Sequence, residues 1–227
     1  MVLVKKRHPN RIKEGSRIAS AIIYIVVGLI CVIALYPFYY VFIQSFADPQ
    51  EVLKGTTYIW PENYYFGSYE LILTDPKMWR AYGYTIFYVT AGTLLVLVTS
   101  VMAAYPLSVK KLAGRKWVVK FLIIPMYFSG GLIPTFLLMT QLGLYNNVWA
   151  MIIPGAVSIW NIILVRTFFM DIPEGLKESA VIDGAGHIRI MLSIVVPLAK
   201  PVLAVIAIYT IVGIWNSWFN AMLYLPN

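Results

Sequence analysis

The chain has 227 residues, 60% of them apolar or aromatic and only 12% charged, with a formal net charge of +8 and a mean hydropathy of +0.75. Soluble domains carry roughly 25% charged residues, so this composition excludes a cytosolic enzyme, a disordered chain and a lone nucleic-acid-binding module, whatever the basic balance suggests. One cysteine, Cys31, and two distant histidines, His8 and His187, exclude a disulfide framework and any Cys- or His-spaced metal motif.

In chain order, the first segment, 1–18, is a basic amino terminus with Lys5, Lys6, Arg7, Arg11, Lys13 and Arg17. Four stretches then lack any Asp, Glu, Lys, Arg or His: 18–47, 81–109, 121–165 and 201–227. A membrane-crossing helix needs about 20 mostly apolar residues. The third stretch holds two such helices, divided at the polar, glycine-containing turn Gln141-Leu-Gly-Leu-Tyr-Asn-Asn147. The fold class is therefore an all-α polytopic membrane protein with five spans, at about 19–46, 82–108, 119–140, 148–169 and 201–223. The first apolar run is too long for a signal peptide, and no A-x-A site follows it.

Fifteen of the 18 basic residues fall in the amino terminus, between spans two and three, or after span four. By the positive-inside rule these segments are cytoplasmic. The loop 48–80 holds five acids and only Lys54, Lys77 and Arg80, and faces outward with the turn at 141–147. Five spans leave the carboxyl end outside, so a sixth span beyond Asn227 is expected.

The span interiors hold no ionisable side chain. Charges at mid-membrane persist mainly where they move ions or protons. Their absence argues against a proton-coupled carrier, a voltage sensor and an intramembrane hydrolase. No G-x-x-x-x-G-K-[S/T] phosphate loop is present either.

The segment 170–200 carries the sharpest pattern. Asp171 and Glu174 are spaced as a capping box, with Pro173 in the first turn. A short helix is expected to about Ile182, then a break at Gly184 and Gly186, then a second helix from about His187 to Val195, until Pro197 and Pro201. Two short helices joined at a glycine make an elbow.

This elbow resembles the EAA loop of binding-protein-dependent ABC importer permeases. The family pattern is E-A-A, three residues, Gly, nine residues, Ile, any residue, Leu-Pro. The chain offers Glu178, Ser179 and Ala180, then Gly184, Ile194, Val196 and Pro197 at that spacing. Ser179 stands for Ala and Val196 for Leu. Asp183, Gly184 and Ala185 match the carbohydrate form of the loop. The resemblance runs from Arg17 to Asn227 and is nearest the carbohydrate uptake type 1, maltose-permease-like group. Ser129-Gly-Gly-Leu-Ile-Pro-Thr135 and Leu142-Gly-Leu-Tyr-Asn-Asn147 are similar to its LplC/YtcP-type subgroup.

The resemblance implies a six-span type I permease that performs no chemistry itself. ATP and Mg would be bound by separate ABC ATPase subunits, with no cofactor in this subunit. A second permease subunit, an extracellular solute-binding protein and a sugar or oligosaccharide complete the expected partners, in a bacterial or archaeal inner membrane. Glu178 would meet a basic group of the ATPase, and Gly184 would give the tight turn.

Sugars stack on aromatic rings and bond to amides. Trp160 and Asn161 in span four, and Trp215, Asn216 and Asn220 in span five, are the candidate path, with Asn216 and Asn220 on one helix face. Interhelix bonding and an aromatic belt account for the same residues. The outer aromatics Tyr58, Trp60, Tyr64, Tyr65, Phe66 and Tyr69 fit either headgroups or a docking protein. Gly130, Gly131 and Pro134 interrupt span three and fit either a kink or close helix packing. The competing functions are a permease for a non-sugar solute and an ion-coupled secondary carrier.

Overall fold

The computed structural model describes residues 17–226, and the basic amino terminus up to residue 16 lies outside the described residues. Among the described residues the regular structure is helical, apart from one isolated bridge between Ala47 and Tyr64. The chain divides into two compact units, one ending at Met78 and the other beginning at Trp79.

The first unit is built on helix α1 (Arg17–Gln44). Without water, every backbone polar group must be bonded within the segment, and 28 uncharged or nearly uncharged residues satisfy that only as a helix. None of its central apolar window is buried within the chain. Two short helices follow, α2 (Pro49–Lys54) and α3 (Gly67–Thr74). Asp48 caps α2 by accepting from the Gln50 N–H at 2.7 Å, with Pro49 at the first helical position. The segment 51–63 is knotted by Glu51, which is buried. Its carboxylate accepts from the Asn63 amide at 2.8 Å, the Asn63 N–H at 3.0 Å, the Glu62 N–H at 3.1 Å and the Thr57 hydroxyl at 3.4 Å. Burial pushes this carboxyl up, but the donors from Asn63, Glu62 and Thr57 outweigh it and hold it below the usual glutamate range.

The second unit contains most of α4 (Pro76–Ser108), then α5 (Arg115–Tyr127), α6 (Leu132–Gln141), a 3₁₀ turn (Val148–Met151), α7 (Ile159–Asp171), α8 (Glu174–Ile182), α9 (His187–Ile190), a π turn (Met191–Val195), α10 (Val196–Leu198), α11 (Lys200–Trp215) and α12 (Trp218–Tyr224). Its core joins Ala104 and Tyr105 of α4 with Ile162, Val165 and Phe169 of α7, and with Val195, Val202 and Ile206 further on. Ile162, Val165 and Phe169 recur at helical spacing, so α7 offers one face to that core. Where α4 meets α11, a side chain at Gly92 would come within 2.6 Å of Ile214 Cδ1, so glycine permits the approach.

Three expected spans differ. The third is broken: α5 and α6 meet at 112°. Gly131, at φ +84°, supplies the turn, as its position beside Gly130 and Pro134 suggested. The fourth does not begin at 148, because α7 starts only at Ile159. Pro154 and Gly155 lie in the intervening stretch and resist a continuous helix. The fifth ends as a helix at Trp215, and α12 restarts at Trp218. By length and composition two described helices, α1 and α4, are able to cross a membrane, and up to four crossings result if each bent pair is one span. The sequence reading had five.

Candidate functional site

The elbow forms as a hydrogen-bonded cap. Gly184 adopts φ +80°, its N–H reaches the Val181 carbonyl at 3.0 Å, and the Ala185 N–H reaches Ala180 at 2.9 Å. These two bonds are the Schellman arrangement, with glycine at the left-handed position. Ala180 is buried in the core and Ala185 packs against that core, so the elbow is pinned at its apolar inner side. A Cβ added at Gly184 would meet no heavy atom within 4 Å. Glycine is therefore needed here for its backbone angle and not for lack of room within the chain.

Asp171 does not cap α8. It is the last residue of α7, and the position preceding α8 is Pro173, which has no side-chain bond. The expected capping box is not formed, because α7 extends to the residue that would have started the next helix. The second arm of the elbow is also irregular. Pro197 has no N–H to give to the preceding turn, and the Val196 N–H reaches back five residues to Met191, which opens the π turn. Ile194 lies in that turn, half-buried against the core, while Pro197 is exposed in α10.

On the outer side of α8, Glu178 and Asp183 are exposed. No hydrogen bond or ion pair of the Glu178 carboxylate occurs among the described residues. Ser179 bonds only within its own helix, to the Leu176 carbonyl at 3.2 Å. Glu178 lines a cleft of about 600 Å³ with Lys110, Glu174, Lys177 and His187.

Two contacts missed by the sequence reading fasten α8. Lys110, just past α4, pairs with Glu174 at 3.1 Å. The Lys177 ammonium donates to the Phe169 carbonyl at 2.8 Å, where the last turn of α7 leaves carbonyls unbonded. Burial lowers the Lys177 pKa, nearby Glu174 raises it, and Lys110 lowers it. The first contact spans 64 positions, and neither has a local sequence signal.

The candidate path residues have different local settings. Asn161 is buried near the start of α7, where Ser158 caps its N–H at 3.4 Å, while its neighbour Trp160 is exposed. Trp215 meets the Tyr82 ring at 6.2 Å. Asn216 ends α11, with its amide donating to the Val212 carbonyl at 2.8 Å. Asn220 lies on α12, so Asn216 and Asn220 do not share one continuous helix face, contrary to expectation. The break follows the local bonding of Asn216 and Ser217, whose side chains both turn back to backbone carbonyls.

A profile of the family described as binding-protein-dependent transport system inner membrane component matches residues 100–221, which includes the whole elbow. The chain belongs to that family. It is 35% identical to protein LplC of Bacillus subtilis over 96% of this chain and 74% of that one. It is 34% identical to the polygalacturonan/rhamnogalacturonan transport system permease protein YtcP of the same organism, over 92% and 73%. The diacetylchitobiose uptake system permease protein NgcG of Streptomyces coelicolor is 26% identical over 90% and 69%. Among solved structures, a bacterial ABC transporter involved in the import of the acidic polysaccharide alginate superposes with a TM-score of 0.88. It is 34% identical and covers 94% of this chain and 76% of its own. The all-α permease fold expected from the sequence is therefore established, as is the family.

Proposed function

We propose that this chain is the membrane subunit of an ATP-driven importer that moves a sugar or oligosaccharide into the cytoplasm. The observation that carries the reading is the glycine elbow: a family-spaced Glu178 and Gly184 sit on a capped turn tied to the core, with the acid exposed and without a partner among the described residues. Glu178, Ser179, Ala180, Asp183, Gly184, Ala185, Ile194 and Pro197 form the joint with an ABC ATPase, which binds ATP and Mg. The subunit itself performs no catalysis. The sugar assignment is supported by the oligosaccharide names of several similar proteins. A second permease and an external solute-binding protein complete the assembly. The basic loops support a cytoplasmic location for the elbow at the inner membrane.

Reconstitution tests this. Liposomes holding the chain alone are expected to take up no more oligosaccharide than empty vesicles, with or without ATP. Adding the partner permease, ATPase and binding protein restores ATP-dependent uptake. Uptake by the chain alone under an ion gradient overturns the reading in favour of a secondary carrier.

A further inference from the structure

The second unit has a cavity of about 350 Å³ outside both the elbow and the candidate path, lined by Tyr84, Thr85 and Tyr88 of α4, by Asn146 and Val148, and by Ala221 of α12. Tyr84 and Tyr88 stand one turn apart, their rings 6.1 Å apart and inclined by only 19°. The Tyr84 side is exposed and Tyr88 is buried. Neither hydroxyl has a hydrogen-bond partner among the described residues. Both residues line the cavity. Thr85 donates within its helix to Ala81 at 2.9 Å, which leaves its oxygen free to accept.

Asn146 gives the opposite wall. Among the described residues it is the one non-glycine residue with positive φ, at 57°. Its N–H donates to the Tyr224 carbonyl at 2.8 Å, which satisfies the end of α12 and fixes the turn against that helix. The side-chain amide has no partner among the described residues. Asparagine takes this left-handed angle more readily than other residues with a side chain, and Asn146 lines the cavity from the turn so fixed.

We propose that this cavity is an outer way-station for a saccharide ring, which rests against Tyr84 and bonds to Asn146, Thr85 and the two tyrosine hydroxyls. The inference rests on the sugar-importer reading. It follows from the chemistry of the lining. A pyranose offers a C–H face to an aromatic ring and hydroxyls at its edge, and sites of this kind combine apolar walls with a few convergent polar groups. A lipid chain would leave two hydroxyls and an amide without partners in an apolar setting, which is costly. The turn at 141–147 is on the outward side by the charge pattern, so the cavity would meet solute before the membrane interior does.

Cysteine labelling in the assembled importer, full-length chain with its partners in nanodiscs, tests the site. Cys31 is the only cysteine, so Cys31→Ser provides a clean background for Thr85→Cys as reporter and Leu142→Cys, exposed in the outer turn, as control. The probe is a pool of oligosaccharides from pectin, alginate and starch digests. At a concentration roughly ten times the dissociation constant, maleimide labelling of Thr85→Cys is expected to slow roughly tenfold, the mass-action factor, while Leu142→Cys is unaffected. Tyr84→Ala removes the protection and Tyr84→Phe retains most of it. ATP-dependent uptake of the pool with no protection at Thr85→Cys overturns the way-station and leaves the importer reading intact. Absence of uptake overturns the importer reading, and the site with it. Protection by added phospholipid and not by saccharide assigns the cavity to lipid and overturns the proposal.

Discussion

Gly184 and Glu178 contribute to the elbow in different ways. Any other L residue at Gly184 has to hold φ near +80°, a penalty of about 1–2 kcal/mol, and a charged one also alters the surface of the turn. Gly184→Asp should release the ATPase while the chain still inserts into the membrane. Glu178→Ala leaves the elbow intact and removes one charged contact, for which about 1.5–3 kcal/mol is typical. It should weaken ATPase copurification without shifting the thermal stability of the isolated subunit. Wild-type ATPase retention and uptake in both variants would remove the coupling role.

Glu51 makes a second residue-scale case. Its carboxylate gathers four donors, and its pKa is depressed in the folded loop. The sign follows from linkage: stability from a depressed carboxylate is present above its ordinary value and lost as pH falls through the folded one. Protection of the Glu62 and Asn63 amides from hydrogen exchange should therefore fall on acidification below the usual glutamate range. Glu51→Gln should abolish that pH dependence and lower protection at neutral pH, because an amide places its own N–H against donors. Unchanged protection in the variant would mean that the loop is held by its other bonds, including Tyr65 N–H to Phe46 at 2.8 Å.

Among elements, α4 and α11 approach closely at one point, where Gly92 faces Ile214. The atom that a Gly92 side chain would strike is the end of Ile214, a flexible group. Gly92→Val should destabilise the detergent-solubilised subunit by about 1–3 kcal/mol, the usual effect of overpacking. Adding Ile214→Ala should recover much of that loss, and the coupling between the two changes is readable in a double-mutant cycle. Additive losses would place the contact elsewhere. The same scale shows why α8 follows its neighbours. Lys110–Glu174 ties it near the end of α4, and Lys177 ties it to the Phe169 carbonyl of α7. Phe169 is fully buried at the centre of the core, so force applied at the elbow acts on a packed residue and not on a loose loop.

For the molecule as a whole, the proposed orientation rests on the basic loops. In a Cys31→Ser background within intact cells, Lys111→Cys and Arg189→Cys should resist a membrane-impermeant thiol reagent, and Lys54→Cys should react. Reaction of Lys111→Cys from outside would invert the topology, and the elbow would no longer face an ATPase. The fully exposed apolar window of α1 is consistent with a subunit that meets lipid or another membrane helix along its length.

The sequence by itself determined the class, because charge-free stretches of this length have few alternatives to helices in a bilayer. It also determined the elbow, because a left-handed turn selects glycine locally and Gly184 stands at the family spacing from Glu178. The breaks were only partly legible. Gly130 and Gly131 marked the bend between α5 and α6, whereas the late start of α7 at Ile159, after Pro154 and Gly155, and the stop at Asn216 lay inside charge-free, mostly apolar stretches long enough to be read as whole spans. Such segments are apolar on every face, so hydrophobic periodicity, which separates inside from outside in water, carries little information there. Tertiary structure alone decided which residues meet. It brought Lys110 to Glu174 and Asn146 to Tyr84 and Tyr88, because these contacts join distant chain positions through packing that no local pattern encodes.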